Sequence, residues 1–326
     1  MSFTTTILEW FKGNGRALPW RETRDPYAIW LSEIILQQTR IEQGRPYWER
    51  FMKRWPTVEA LAHATEDEVL REWQGLGYYS RARNLHTAAK QVLVRGGFPT
   101  TIEGIKALKG VGDYTAAAIG SIAFNLPAAV VDGNVYRVLS RHYGIATPIN
   151  TTEGKKEFTA LAQSLLPTSQ ASAFNQAMMD FGATQCTPTS PNCPYCPLAE
   201  SCVALREGRI AELPVKQRTL KVKERQLTYI YIRCNGYTAI HRRPAGDIWQ
   251  GLYESWLTED IPCGAVLLRQ RVKHVLTHRI LYADFWLWET EERPQLPDDY
   301  FWIKEEEVGN YGVPRLIEIL LETLNT

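Results

Sequence analysis

The chain has 326 residues, 44% of them hydrophobic, 22% charged and 11% aromatic, and 37 Lys+Arg against 36 Asp+Glu leave a formal net charge of +1. That length suits about two domains, and the composition excludes a disordered tail, a collagen-like chain and a low-complexity array. No apolar run reaches the roughly 18 residues of a spanning helix, and residues 1–10 lack the basic start and cleavage site of an export signal. A cytoplasmic protein of enzyme size, with no membrane role, is expected. The near-zero net charge argues only weakly against a polyanion partner, because binding follows the local field rather than the sum.

In chain order, the first two-thirds read as helices. Apolar spacing predicts a helix over residues 2–11, stopped by Gly13 and Gly15, and a second over 27–43 with Ile29, Trp30, Ile34 and Leu36 on its buried side. Thr57 and Thr65 suit N-caps of two short helices with acidic first turns. Ser80 caps a longer helix ending at Gly96 and Gly97, and helices over 101–108, 113–124, 132–143, 153–166 and 168–182 complete an all-α set. A basic connector, with Lys216, Arg218, Lys221, Lys223 and Arg225, follows. β-branched and aromatic runs then predict strands over 227–233, 237–243, 252–256 and 279–289, with a closing helix over 313–323. The expected organisation is a mainly α domain over 1–215, a linker over 216–226 and a smaller α+β domain over 227–326.

Four features carry chemistry. Leu108-Lys109-Gly110-Val111-Gly112-Asp113 lies between two predicted helices. Two glycines around one apolar residue permit a tight reversal and aim amide N–H groups outward, an anion site, although an ordinary helix–helix corner reads the same way. Cys186, Cys193, Cys196 and Cys202 crowd into a proline-rich stretch, while Cys234 and Cys263 stand apart. A reducing compartment disfavours disulfides, so four crowded thiols point to a metal, either an iron–sulfur cube or structural zinc. Glu33, flanked by Trp30, Ile34 and Ile35, is either a solvated helix charge or a desolvated acid with a raised pKa. Asp132 follows an apolar run at a helix start, where a plain N-cap is the ordinary role.

Taken together, Leu18-Pro19-Trp20-Arg21, residues 32–39, the Gly75–Leu85 run, residues 108–115, 131–137 and 174–180, and then the four cysteines, resemble the adenine DNA glycosylases of the MutY family over about 200 residues. The resemblance implies a helix-hairpin-helix DNA glycosylase domain with one [4Fe–4S] cluster on the cysteines at 186–202. The implied activity is base-excision repair of double-stranded DNA, removing adenine opposite 8-oxoguanine or guanine. It makes Glu33 the acid that protonates the departing base. Asp132 becomes the carboxylate facing the sugar, and Asn134 an orienting group, a division of labour familiar from glycoside hydrolysis. Trp20, Arg21 and Gln176 match adenine-pocket positions. Gln38 and Tyr78 match residues that enter the base stack of an enzyme that flips its target. Gly110 and Gly112 would hold a backbone phosphate, a contact that positions without reading sequence. Where the related endonuclease III enzymes carry a Schiff-base lysine, this chain has Tyr114, expected to bond near Asp132. A phenol forms no imine, so strand cleavage is not expected.

The C-terminal part resembles the Nudix-like lesion-checking domain of that family, without the spaced acidic residues a nucleotide hydrolase needs. Leu276, Thr277 and His278 stand where the family commonly has Phe-Ser-His, implying contact with the lesion, with Leu276 as wedge. His241, Cys234 and Cys263 read as structural. A monomer is expected. The alternatives are an endonuclease III-like glycosylase with lyase activity and a non-catalytic protein that binds damaged DNA.

Overall fold

Ser2 accepts a hydrogen bond from the Thr5 amide at 3.2 Å and starts α1 (Phe3–Asn14). Asp25 caps α2 (Pro26–Ile35) by accepting from the Tyr27 amide at 3.0 Å. The helix expected to continue to residue 43 instead stops there. Gln38 takes a left-handed φ of 58°, which breaks the α-helical course, and α3 (Ile41–Arg54) begins separately after Arg40. Thr57 and Thr65 cap as expected: Thr57 accepts from Ala60 at 3.2 Å before α4 (Val58–His63), and Thr65 forms a capping box with Glu68 before α5 (Glu66–Glu72). The series continues with α6 (Ser80–Val94), α7 (Ile102–Lys106), α8 (Asp113–Phe124), α9 (Gly133–Tyr143), α10 (Thr152–Leu165), α11 (Ala171–Asp180), which runs into a wide π-turn at Phe181–Gln185, and α12 (Val203–Arg206).

The computed structural model describes residues 1–217 and 222–325, so Arg218 and Lys221 of the expected linker lie outside the described residues. By contacts the described residues form two compact units, residues 1–62 with 87–217 and residues 63–86 with 222–325.

In the first unit α8 is buried on nearly every side, and its small residues let α2, α7 and α11 close on it. Gly120 shows the constraint: a Cβ there would sit 2.5 Å from the Ile102 side chain. A second core gathers Ile7, Val138, Leu139, Phe158, Phe174 and Phe181 from α1, α9, α10, α11 and the π-turn.

The second unit holds β1 (Lys223–Arg233), β2 (Tyr237–Arg242), β3 (Tyr253–Glu254), β4 (Trp256–Leu257), β5 (Val266–Val275), β6 (Arg279–Glu289), β7 (Tyr300–Lys304) and α13 (Arg315–Leu324). One sheet has the order β4-β1-β6-β5 and the other β3-β2-β7. β1 and β6 pair in parallel, Lys223 opposite Arg279 through Arg233 opposite Glu289. The strand expected over 252–256 is two: β3 pairs with β2, β4 with β1, and Ser255 marks the switch between sheets. β5 was not expected, because Arg269, Arg271 and Lys273 break its apolar pattern; it is an edge strand, where such charges discourage pairing with other chains. Tyr229, Tyr231, Phe285, Leu316 and Leu320 fill the core beneath α13.

Residues 63–86 join this unit instead of the helical one suggested by their place in the chain. Arg242 donates to Glu66 at 2.9 Å and Asp67 at 3.0 Å, the Tyr253 hydroxyl to Asp67 at 3.0 Å, and Gln74 to Glu318 at 2.6 Å. No helix among the described residues is long and apolar enough to cross a membrane.

Candidate active site

A cavity of about 620 Å³ opens in the first unit, with Trp20, Arg21, Glu33, Tyr114, Asp132 and Gln176 in its lining. Glu33 reaches it from the last turn of α2. Its carboxylate meets the cavity but is otherwise packed in protein, and it accepts a hydrogen bond from the Tyr114 hydroxyl at 3.0 Å. Burial pushes Glu33 up to about 7; the Tyr114 bond pulls it down, the Asp132 charge adds to the rise, and Arg21 opposes it. Tyr114 therefore bonds Glu33, close enough to Asp132 for that charge to act on it as well. Its own hydroxyl is driven upward, by burial first and then by the charges of Glu33 and Asp132.

Asp132 is an N-cap and more. One carboxylate oxygen accepts from the Asn134 amide at 2.9 Å and the Val135 amide at 2.8 Å, the other from the Asn134 side chain at 2.8 Å. Burial raises its pKa, while those three bonds and the Arg137 charge favour the anion. Burial raises the pKa of both carboxylates on the cavity, but only Asp132 has three hydrogen bonds and a guanidinium charge working for its anion, a difference of setting that suits separate acid and anion roles. Asn175, 1% exposed, fixes the approach to Asp132: its side chain accepts from the Val130 amide at 3.0 Å and donates to the Ala128 carbonyl and the Ser121 hydroxyl, each at 2.8 Å. Gly182 lets the π-turn touch the start of α9, since a Cβ there would lie 2.5 Å from the Asn134 Cβ.

Sequence reasoning missed Asp180, Arg16 and Arg137. Asp180 has no exposed side chain; it accepts from the Arg16 amide at 2.9 Å and from the Arg21 guanidinium at 2.7 and 2.8 Å. Burial raises its pKa, but the bonds from Arg21 and Arg16 outweigh burial and hold it low, so Arg21 faces the cavity with its charge already compensated. Arg137 links Asn134 Oδ1 at 2.8 Å to the Gly182 and Cys186 carbonyls at 2.6 and 2.7 Å. A lone acid within Met178-Met179-Asp180-Phe181, and arginines one helix turn apart at 137 and 141, were the available signals. Trp20, 6% exposed, packs edge-on against Trp48 with ring centroids 5.6 Å apart, and Gln176 donates to the Ser172 hydroxyl at 3.1 Å.

Gln38, at the cavity rim, and Tyr78, in the second unit, are both exposed and both in left-handed backbone, φ 58° and 48°. Such strain in non-glycine residues concentrates at ligand contacts. In the hairpin, Gly110 has φ 78° and needs to be glycine. Gly112 is not required by backbone or space: φ is −93° and a Cβ would meet nothing within 4 Å. The space lies above the uncapped start of α8, open to a close approach from outside.

Cys186, Cys193, Cys196 and Cys202 are unpaired thiols, all partly buried. Cys196 is pushed up to about 11 by burial, and the charges of the other three act on it in the same direction, so the four share one neighbourhood. Among the described residues no set of three His, Cys, Asp or Glu side chains is arranged to hold a single metal ion. In the second unit, Thr277 and His278 are exposed between β5 and β6, and the Tyr78 hydroxyl bonds the Thr277 hydroxyl. Leu276, expected as a wedge, is half-buried against the apolar core instead. The Glu254 side chain, 1% exposed, is held by Arg243, by Tyr229 at 2.8 Å and by His241 at 2.8 Å, so this carboxylate is structural.

A profile for the HhH-GPD superfamily of base excision DNA repair proteins matches residues 31–167, and a NUDIX domain profile matches residues 228–323. Fold and pocket define a helix-hairpin-helix base-excision repair protein with a Nudix-like second domain. An adenine DNA glycosylase of Buchnera aphidicola (subsp. Schizaphis graminum) is 34% identical over 254 residues, 77% of this chain and 73% of that protein. The Rattus norvegicus adenine DNA glycosylase is 40% identical over 244 residues, 69% of this chain and 47% of that protein. A solved thermostable thymine-DNA glycosylase superposes with TM-score 0.59 at 32% identity, covering 63% of this chain and 95% of that one. The chain belongs to the adenine DNA glycosylase family.

Proposed function

We propose that the chain hydrolyses the N-glycosidic bond of adenine mispaired with 8-oxoguanine or guanine in double-stranded DNA, with Glu33 as acid and Asp132 as the anion facing the sugar. The observation that carries this reading is a carboxylic acid with its pKa pushed up to about 7 lining the same cavity as a carboxylate held by three hydrogen bonds. Glu33 gives its proton to a ring nitrogen of the flipped adenine, so the base departs neutral with the electrons of the C1′–N9 bond. Asp132 meets the positive charge left on the deoxyribose, by its field or by bonding to C1′, in a pocket where such interactions are strong. The ionised Glu33 then takes a proton from the water that adds to C1′, closing the cycle. Trp20, Arg21 and Gln176 border the base. Gln38 and Tyr78 act as wedges, and the hairpin amides beyond Gly110 and Gly112 receive a phosphate. Thr277 and His278 read the opposite base; Tyr78, bonded to Thr277, belongs to the same device.

The four cysteines fit a [4Fe–4S] cluster: they share one neighbourhood, and Arg141 brings a positive charge to Cys186 at 3.5 Å. When bound, the cluster supplies a covalent cross-link of the 186–202 loop.

A single-turnover assay on A:8-oxoguanine and A:G duplexes, with alkali to cut abasic sites, tests the reading. Adenine-strand scission after alkali is expected from both, and no scission from either overturns it. With Tyr114 where a lyase needs an amine, borohydride is expected to trap no covalent protein–DNA adduct under those conditions; an adduct would favour the endonuclease III-like alternative. The pH profile is a separate check. Glu33 must be protonated, so the chemical rate falls as pH rises through about 7. Because the Tyr114 bond lowers the Glu33 pKa, Tyr114→Phe moves that descending limb to higher pH. A limb that stays in place removes Tyr114 from the acid's environment.

A further inference from the structure

We infer that Arg141 is the positioning cation of the four-cysteine centre, holding its loop in place and offsetting its negative charge. The inference rests on the cluster reading above. Arg141 lies on α9 and is 3% exposed. Its guanidinium donates to the Thr187 carbonyl at 2.8 Å, the Pro188 carbonyl at 3.0 Å, the Ile210 and Leu213 carbonyls at 3.1 Å and Cys186 Sγ at 3.5 Å, and Cys202 Sγ lies 3.5 Å from its own carbonyl oxygen. One side chain therefore ties the two flanks of the loop, and its residue contacts both the first and the last cysteine.

None of those partners is a carboxylate. Arg137, one turn earlier and 8% exposed, is likewise bonded only to carbonyl oxygens, those of Gly133, Gly182 and Cys186 and the side-chain amide of Asn134. A buried guanidinium without an anion is costly, and Arg137, whose charge already serves Asp132, adds repulsion from the same helix face. The loop offers no compensation of its own kind: between Cys186 and Cys202 it holds neither Lys nor Arg, and Glu200 is its one charged side chain apart from the thiols. Four thiolates around an iron–sulfur core form a net anionic group, with no cation in its loop, beside a cation with no anion. Each supplies what the other lacks. The five fixed N–H donors of arginine also make the carbonyl contacts together, which the single ammonium of lysine cannot do.

The test is iron content, the rate of iron loss to a chelator, and the reduction midpoint potential of the full-length chain and of Arg141→Gln and Arg141→Lys. Removing the charge disfavours the added electron, so Arg141→Gln shifts the potential negative and loses iron roughly 10- to 100-fold faster, the usual size of an outer-shell effect. Arg141→Lys restores the potential while losing iron at an intermediate rate. If Arg141→Gln does not fold, Arg141→Met, which keeps the buried stem, is read the same way. A neutral variant with the parent's potential and iron-loss rate overturns the inference, as does a lysine variant shifted as far as the glutamine one. A parent chain without iron or the absorbance of an iron–sulfur centre near about 400 nm overturns the cluster reading itself.

Discussion

Glu33→Gln leaves binding of a mispaired duplex intact and lowers adenine release by roughly 10²–10⁴-fold, the span of a lost general acid. Glutamine keeps the shape and can still accept from the Tyr114 hydroxyl, so the cavity is preserved while its transferable proton is gone. A pH series separates this loss from a loss of folding. The Glu33 pKa rises from 4.5 when unfolded to about 7 when folded, so the parent is stable with Glu33 protonated and loses stability as pH climbs between those values. Glutamine carries no such penalty. The variant should therefore melt higher than the parent above pH 7, with the advantage vanishing below about pH 4.5. Single-turnover release and paired melting curves measure both effects. Undiminished release in a variant that shows the stability gain would mean that the proton comes from elsewhere.

Much of the fold was legible because its signals are local. α8 and β6 have the boundaries read from the sequence, and Thr57, Thr65 and Asp132 cap the helices they were expected to cap. What was not legible depends on distant partners or on backbone shape. The break after α2 turns on the left-handed Gln38, for which glutamine gives no cue. β5 is disguised by its charges, and the switch at Ser255 exists only because two sheets compete for one short segment. Residues 63–86 look helical, and helical they are; their membership of the second unit is decided by Arg242, Tyr253 and Glu318, far along the chain.

The site divides the same way. Glu33 could be suspected from its apolar flanks, and the hairpin from its glycines, but spacing alone left Asp132 a cap and Trp20 a core aromatic. Each turned out to satisfy the ordinary role and to line the cavity as well. Family resemblance supplied what periodicity could not. Neither route found Asp180, whose contribution is to neutralise Arg21 from behind, because a buried counter-ion leaves no pattern in one sequence.

Asp132→Asn should release adenine roughly 10²–10³-fold more slowly, about 2.7–4 kcal/mol of lost charge stabilisation. Asparagine caps helices as well as aspartate, so α9 keeps its start, whereas Asp132→Ala would also lose about 1 kcal/mol of stability. The misfit lies one step further. The Asn134 side chain donates to Asp132 while its oxygen is held by Arg137, so an amide nitrogen at position 132 confronts another donor that cannot turn away without giving up Arg137. The second signature separates charge from geometry. The Asp132 charge helps raise the Glu33 pKa, so removing it moves the descending pH limb downward, opposite to the shift from Tyr114→Phe. A slow Asp132→Asn variant with an unmoved limb would leave only the misfit to explain its defect. A downward limb together with the rate loss identifies the anion that Glu33 senses as the one that meets the sugar.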